Sequence, residues 1–128
     1  KIPIFADIKK KHAAHTLTAD LDIADVARGM ELHRADGIIV TGTHTGEAPS
    51  LTDLEAVAAA SDLPLLVGSG TTPENYSTLF PYVDGFIVGS AFKENGQWDA
   101  PVCEKRVEKM IAAAEQVRAV HQAELMNN

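Results

Sequence analysis

The chain has 128 residues, of which 45% are hydrophobic and 23% are charged, and its formal net charge is −7. These proportions are ordinary for a globular protein, and the apolar runs are far shorter than the roughly 20 residues needed to span a bilayer. The acidic balance, with basic residues scattered except at 9–11, argues against a nucleic-acid-binding surface. The single cysteine, Cys103, excludes an intrachain disulfide and is typical of a reducing compartment, so we expect a cytoplasmic protein.

The hydrophobic pattern predicts four units in which a strand is followed by a helix. In chain order, strands are expected at 2–8, 37–43, 64–68 and 85–89. The first helix is expected at about 20–33, the second is expected to start at 50, the third to start at 72, and the fourth to cover about 102–123. The second and fourth strands are continuously apolar, which is typical of parallel strands buried on both faces. No linker or low-complexity segment interrupts the pattern, so residues 1–128 are expected to form one α/β folding unit.

Local signals mark the helix boundaries. Ser50 followed by Asp53 is typical of a capping box, and Thr72 before a proline is typical of a helix start. In the last helix, the spacing of Met110 and Ile111 predicts that both side chains point inward.

Two turns, Gly68-Ser69-Gly70 and Gly89-Ser90, each end an apolar run. Glycine lets backbone N–H groups approach an anion, and the start of the following helix adds a partial positive charge. In (β/α)8 barrels a phosphate site recurs after strands seven and eight. We therefore expect Gly68, Ser69, Gly70, Gly89 and Ser90 to bind phosphate; the alternative is that these glycines only allow tight turns. Since a complete barrel needs about 250 residues, the chain is expected to be the C-terminal half of one.

Charged residues cluster where the first predicted strand ends. Alternation along a strand places Asp7, Lys9 and Lys11 on one side, where an acid and a base could face the same ligand. The lysines would keep the carboxylate ionised, so that it could act as a base or accept a ribose hydroxyl. The alternative is a structural salt bridge at Asp7 with solvated lysines. His12 and His15 could join Asp7 around a metal, but that spacing is weak, and we expect neither a metal nor a cofactor.

Polar side chains also follow the second predicted strand. Thr41 and Thr43 offer hydroxyls to a ligand, and His44 could move a proton near neutral pH with Glu47 orienting or activating it. The alternative is that the threonines stabilise a turn and the histidine is simply exposed.

Several stretches together resemble the BtpA/SgcQ family over nearly the whole chain. They are Phe5-Ala6-Asp7-Ile8-Lys9-Lys10-Lys11-His12, Ala35-Asp36-Gly37, Val40-Thr41-Gly42, Gly68-Ser69-Gly70 and the run from Asp84 to Ser90. The resemblance implies a ribulose-phosphate-binding type of barrel, of which these units are strands five to eight. Members of the family have been linked to photosystem I biogenesis in cyanobacteria and described elsewhere as nucleosidases.

The resemblance leaves two functions open. The first is an enzyme that binds a phosphorylated sugar or nucleotide-like metabolite, as a nucleosidase or a sugar-phosphate isomerase or lyase. The second is a non-catalytic assembly factor that keeps the phosphate site.

Four strands cut from a closed barrel would expose two edges and an apolar interior face. The chain also starts within an apolar run, so we expect a fragment. Either two copies pair as a homo-oligomer or the missing N-terminal half is a separate chain; rearrangement into a flavodoxin-like sandwich is the less favoured alternative.

Overall fold

The computed structural model describes residues 2–10 and 12–127. Its strands are β1 (Phe5–Ile8), β2 (Gly37–Val40), β3 (Leu65–Val67) and β4 (Gly85–Phe86), and its α-helices are α1 (Ile23–Leu32), α2 (Leu51–Ala60), α3 (Tyr76–Leu79) and α4 (Glu104–Met126). Short 3-10 turns lie at Thr16–Thr18, Phe80–Tyr82, Ser90–Phe92 and Glu94–Gly96.

The four strands form one sheet in the order β1-β2-β3-β4, and every neighbouring pair is parallel. Asp7 is level with Ile39, and Ile39 is level with Leu66. A helix follows each strand, as the hydrophobic periodicity predicts. The fold class is therefore confirmed: four parallel βα units arranged as half of a (β/α)8 barrel.

One face of the sheet packs against the helices and forms the core. Ile38, Val40 and Val67 from the strands meet Leu54 and Val57 from α2, and all five are fully buried. Burying each such side chain contributes about 1.5–3 kcal/mol, which is why this face determines the position of the helices.

The opposite face of the sheet is only partly covered. Phe5 is 41% exposed and Ile87, just past β4, is 46% exposed. Ile39 and Leu66 lie half-buried between them. The expectation that the strands are buried on both faces is therefore wrong for this chain, because helices cover one face alone.

All four strands are shorter than predicted: β2 ends at Val40 instead of 43, β3 covers Leu65–Val67 instead of 64–68, and the two outer strands are shortened as well. β1 starts at Phe5. The N–H of Ile4 donates to the carboxylate of Asp36, and its carbonyl accepts the N–H of Asp36. Before Asp36 the chain forms α1 and the turn that follows it, so none of the described strands lies beside residues 2–3. The ladder of β4 ends after Ile87, whose N–H donates to the carbonyl of Val67. A strand extends only as far as its neighbour offers backbone partners.

The helix starts agree only partly with the local signals. The Ser50 cap is confirmed, since its hydroxyl accepts the N–H of Asp53 at 3.1 Å. At Thr72 the predicted capping contact is present, since its hydroxyl accepts the N–H of Asn75 at 3.4 Å and the amide oxygen of Asn75 accepts the N–H of Thr72 at 2.8 Å. These bonds close a turn, however, and α3 itself starts only at Tyr76. In α4, Met110 is buried but Ile111 is 51% exposed, because α4 packs mainly against α3 and the 3-10 turn at Ser90–Phe92, which cover only one side of the helix.

Across residues 2–10 and 12–127, none of the helices is long and apolar enough to cross a membrane.

Candidate functional site

A cavity of about 260 Å³ lies beyond the carboxyl ends of β3 and β4. Its wall includes all five residues predicted to bind phosphate: Gly68, Ser69, Gly70, Gly89 and Ser90. The two turns meet here because parallel neighbouring strands end at the same edge of the sheet. We call this space the Gly-Ser cavity.

Backbone N–H groups at the Gly-Ser cavity remain available to a ligand. Those of Gly70, Gly89 and Ser90 donate none of the hydrogen bonds found among residues 2–10 and 12–127. Unpaired N–H groups of successive residues form concave binding sites for anions. The arrangement therefore suits a phosphate or carboxylate group.

The glycines of the two turns are present for different physical reasons. Gly70 has φ +70°, and a Cβ added there would lie 2.0 Å from the backbone nitrogen of Ala48. Packing of the neighbouring loop therefore requires glycine at this position. At Gly89, φ is −123°, and an added Cβ would meet no atom within 4 Å. A side chain at Gly89 would occupy open space instead of displacing the fold.

Two hydroxyl groups at the Gly-Ser cavity differ in how they are bonded. Ser69 Oγ donates to the carbonyl of Glu47 at 2.9 Å and accepts the N–H of Gly42 at 3.4 Å, so it fastens the loop after β2 to the turn after β3. Thr71 is only 2% exposed, and its Oγ1 has no hydrogen-bond partner within the described part of the chain. A buried hydroxyl without a partner is unusual, and Thr71 is one of the residues that line the cavity.

Arg106 in the first turn of α4 brings a positive charge to the Gly-Ser cavity. Its Nε donates to the carbonyl of Ala91 at 2.8 Å, which holds the guanidinium at the wall. The remaining N–H groups of a guanidinium form a fork that matches phosphate oxygens. Sequence reasoning missed this residue; the available signal was a basic side chain in the first turn of the helix after the last strand.

The residues at the end of β1 do not line the Gly-Ser cavity. Asp7 is exposed on β1. The strand ends at Ile8, and Lys9 takes φ +45°, so the alternation expected to align Lys9 with Asp7 stops there. The amine of Lys9 instead donates to the carbonyl of Leu21. Lys11 lies outside the described residues.

The polar loop after β2 is organised by Glu47. Its carboxylate accepts the hydroxyl of Thr43 and, at 3.1 Å, the backbone N–H of His44. The hydrogen bond from Thr43 is the main reason that the pKa of Glu47 lies below its ordinary value of 4.5. Glu47 thus contacts the backbone of His44, with the histidine exposed. Thr41 Oγ1 is buried with no hydrogen-bond partner among the residues described.

The histidines of the loop after β1 make separate contacts. His12 Nε2 lies 3.1 Å from the hydroxyl of Thr45, a residue of the Gly-Ser cavity wall, whereas His15 Nε2 lies 2.9 Å from the carbonyl of Lys10. In the described ranges 2–10 and 12–127, no three His, Cys, Asp or Glu side chains are grouped so that they could hold a metal ion.

Comparison with known proteins identifies relatives for most of the chain. The model of the BtpA family matches residues 1–116. The chain is 48% identical over 107 residues to an uncharacterized protein of Pyrococcus furiosus, covering 83% of this chain, and 43% identical over 110 residues to an uncharacterized mitochondrial protein of Caenorhabditis elegans, covering 86%. It is 38% identical over 113 residues, 88% of its length, to the photosystem I biogenesis protein BtpA of Synechocystis. The chain spans 39% of the length of each of these three relatives. No solved structure matches it.

Proposed function

Because the chain belongs to the BtpA family, we propose that it binds a phosphorylated sugar or nucleotide-like metabolite, with the phosphate group in the Gly-Ser cavity. The observation that carries this proposal is that both Gly-Ser turns line one cavity together with Arg106. The net charge of −7 disfavours the approach of an anion, so binding of a phosphate group depends on this local arrangement.

Three kinds of donor would hold the phosphate group. The N–H groups of Gly70, Gly89 and Ser90 point to no other acceptor in the described chain and would donate to its oxygens. The guanidinium of Arg106 would add a charge-assisted hydrogen bond, which is shorter and about twice as strong as a neutral one. The hydroxyl of Thr71, buried and without a partner among the described residues, is a further donor at the same wall.

We propose that the chemistry takes place at the same edge of the sheet. Asp7 on β1 and His44 after β2 are the acid and base candidates, with Glu47 beside His44 in the loop. Lys9 and Lys11 are candidates for stabilising negative charge, and Thr41 and Thr43 for contacting the sugar hydroxyls. The reaction would be a nucleosidase-like hydrolysis or a sugar-phosphate isomerisation or lysis, carried out by a protein of the length of the relatives.

A second candidate function is a non-catalytic assembly factor. One relative is named for photosystem I biogenesis, and the uncovered sheet face with Phe5 and Ile87 offers an apolar surface. In an assembly factor, a ligand bound at the phosphate site would order the protein, and it would not be converted to a product. Incubation with a panel of phosphorylated sugars and nucleotides separates the two functions: product formation supports the enzyme, and stabilisation by ligand without product supports the assembly factor.

Calorimetric titration with ribose 5-phosphate tests the phosphate site. In Gly89→Val the new side chain fills open space in the cavity, so we expect the affinity to fall by about ten-fold or more while the thermal midpoint stays unchanged. Gly29→Ala, inside α1 and also without atoms near the added Cβ, is the matched control and should bind like the parent chain. Equal affinity in Gly89→Val with an intact fold rejects the proposed site.

A further inference from the structure

A second cavity, of about 450 Å³, adjoins the Gly-Ser cavity. The two share Thr45, Gly46, Ser90 and Gly96 in their walls, so a ligand can extend from one into the other. The rest of the second wall consists of Gln97, Trp98 and Asp99. We call this space the Trp98 cavity.

The loop that carries Trp98 is held at both ends. At its base, Lys93 and Val102 form an antiparallel bridge, and the N–H of Glu94 donates to the carbonyl of Pro101 at 2.9 Å. Inside the loop, the N–H of Gln97 donates to Glu94 and the N–H of Ala100 donates to Gln97, both at 3.1 Å. The loop therefore presents positions 97–99 from a defined backbone, beside the turn at Ser90.

The side chain of Trp98 is not used in the core. It is 73% exposed, although an indole is among the largest apolar surfaces that a protein can bury. An exposed aromatic ring in a cavity wall can stack on the face of a planar ligand. Beside it, the Gln97 amide both donates and accepts hydrogen bonds, and the Asp99 carboxylate accepts them.

We infer that Trp98, with Gln97 and Asp99, forms a subsite for the planar base and ribose hydroxyls of a nucleoside monophosphate whose phosphate lies in the Gly-Ser cavity. This inference rests on the proposed phosphate site. Trp98 stacks on the base, the Gln97 amide contacts its polar edge, and Asp99 accepts hydrogen bonds from the sugar hydroxyls. A simple pentose phosphate has no planar ring and leaves this half of the site without contacts, so Trp98 selects for the base.

Fluorescence tests the inference directly, because Trp98 is the single tryptophan of the chain. The probes are AMP, UMP, adenosine and ribose 5-phosphate, each titrated by fluorescence and by calorimetry. We expect AMP or UMP to quench Trp98 saturably, with the same dissociation constant by both methods, and to bind about ten-fold more tightly than ribose 5-phosphate. Ribose 5-phosphate should bind without comparable quenching.

Substitutions at the ring separate stacking from folding. Trp98→Ala should lower the affinity for the nucleotide by about ten-fold and leave that for ribose 5-phosphate unchanged, whereas Trp98→Phe should retain most of the nucleotide affinity. Leu17→Ala, at a side chain 98% exposed and outside both cavity walls, is the control and should change neither affinity.

The other outcomes distinguish the two parts of the site. Equal affinities for nucleotides and ribose 5-phosphate, unaffected by Trp98→Ala, overturn the base subsite and leave the phosphate site standing. Adenosine binding as tightly as AMP, with quenching, supports the base subsite and overturns the phosphate site. Absence of binding by all four probes overturns both.

Discussion

At the scale of single residues, the Gly-Ser cavity shows that similar sequence signals have different causes. The loop backbone at Ala48 lies where a Cβ of Gly70 would be, so Gly70 is needed for folding. Gly89 faces open space, so the absence of its side chain leaves the cavity volume available to a ligand. Packing of the fold thus requires glycine at position 70, whereas no packing contact requires it at position 89.

This difference gives a prediction for Gly70→Ala. The substitution forces a side chain into a left-handed backbone conformation and against the backbone of the loop after β2, which together should cost about 2–4 kcal/mol of the free energy of unfolding. Chemical denaturation measures this loss, with Gly89→Val as the comparison that should remain close to the parent chain. A Gly70→Ala variant of unchanged stability would contradict the loop packing described above.

At the scale of elements, the loop after β2 is held by hydrogen bonds to side chains. Glu47 accepts from Thr43 and His44, and Ser69 ties the same loop to the turn after β3. Because Thr45 and Gly46 of this loop also line the Gly-Ser cavity, the position of the loop sets the shape of one cavity wall.

Glu47→Gln tests this loop through the pH dependence of stability. Hydrogen bonds to the carboxylate lower the pKa of Glu47 below 4.5 in the folded chain, so folding favours its ionised form. Its contribution is fully present above the unfolded-state pKa and is lost as the pH falls through the lower folded-state value. We expect Glu47→Gln to be less stable than the parent chain at pH 7, with the difference shrinking in the acid range. Denaturation curves across pH measure it; a difference independent of pH would show that the charge of Glu47 plays no part.

At the scale of the whole molecule, the four described strands form a sheet with two free edges and one face that the described helices leave uncovered. β1 and β4 each have a neighbour on one side only among the described strands, and Phe5 and Ile87 lie on the uncovered face. Unpaired strand edges beside an apolar face favour association with another chain. We propose that this face is covered either by a second copy of the chain or by the remaining half of a barrel.

Light scattering at micromolar concentration measures this association. We expect the chain to form a species larger than a monomer, and Ile87→Glu, which places a charge on the uncovered face, to shift it toward the monomer. Leu32→Glu, at an exposed position at the end of α1, is the matched control and should leave the association unchanged. A monomeric parent chain would argue against pairing of two copies.

The sequence by itself determined the order of the elements, the parallel sheet, the cap at Ser50 and the family. These follow from periodicity and short motifs, which depend on residues close together in the chain. It also predicted that the two Gly-Ser turns would meet, because the carboxyl ends of neighbouring parallel strands share one edge.

Only the tertiary structure decided which of those residues are available to a ligand. Ser69 uses its hydroxyl on the loop after β2, Lys9 turns away from Asp7 at a left-handed position, and Arg106 reaches the cavity from the start of α4. The tertiary structure likewise decided that Ile111 is exposed and that β4 is short. Each outcome depends on atoms that are distant in the chain and become neighbours only when the elements pack, and local periodicity carries no information about such contacts.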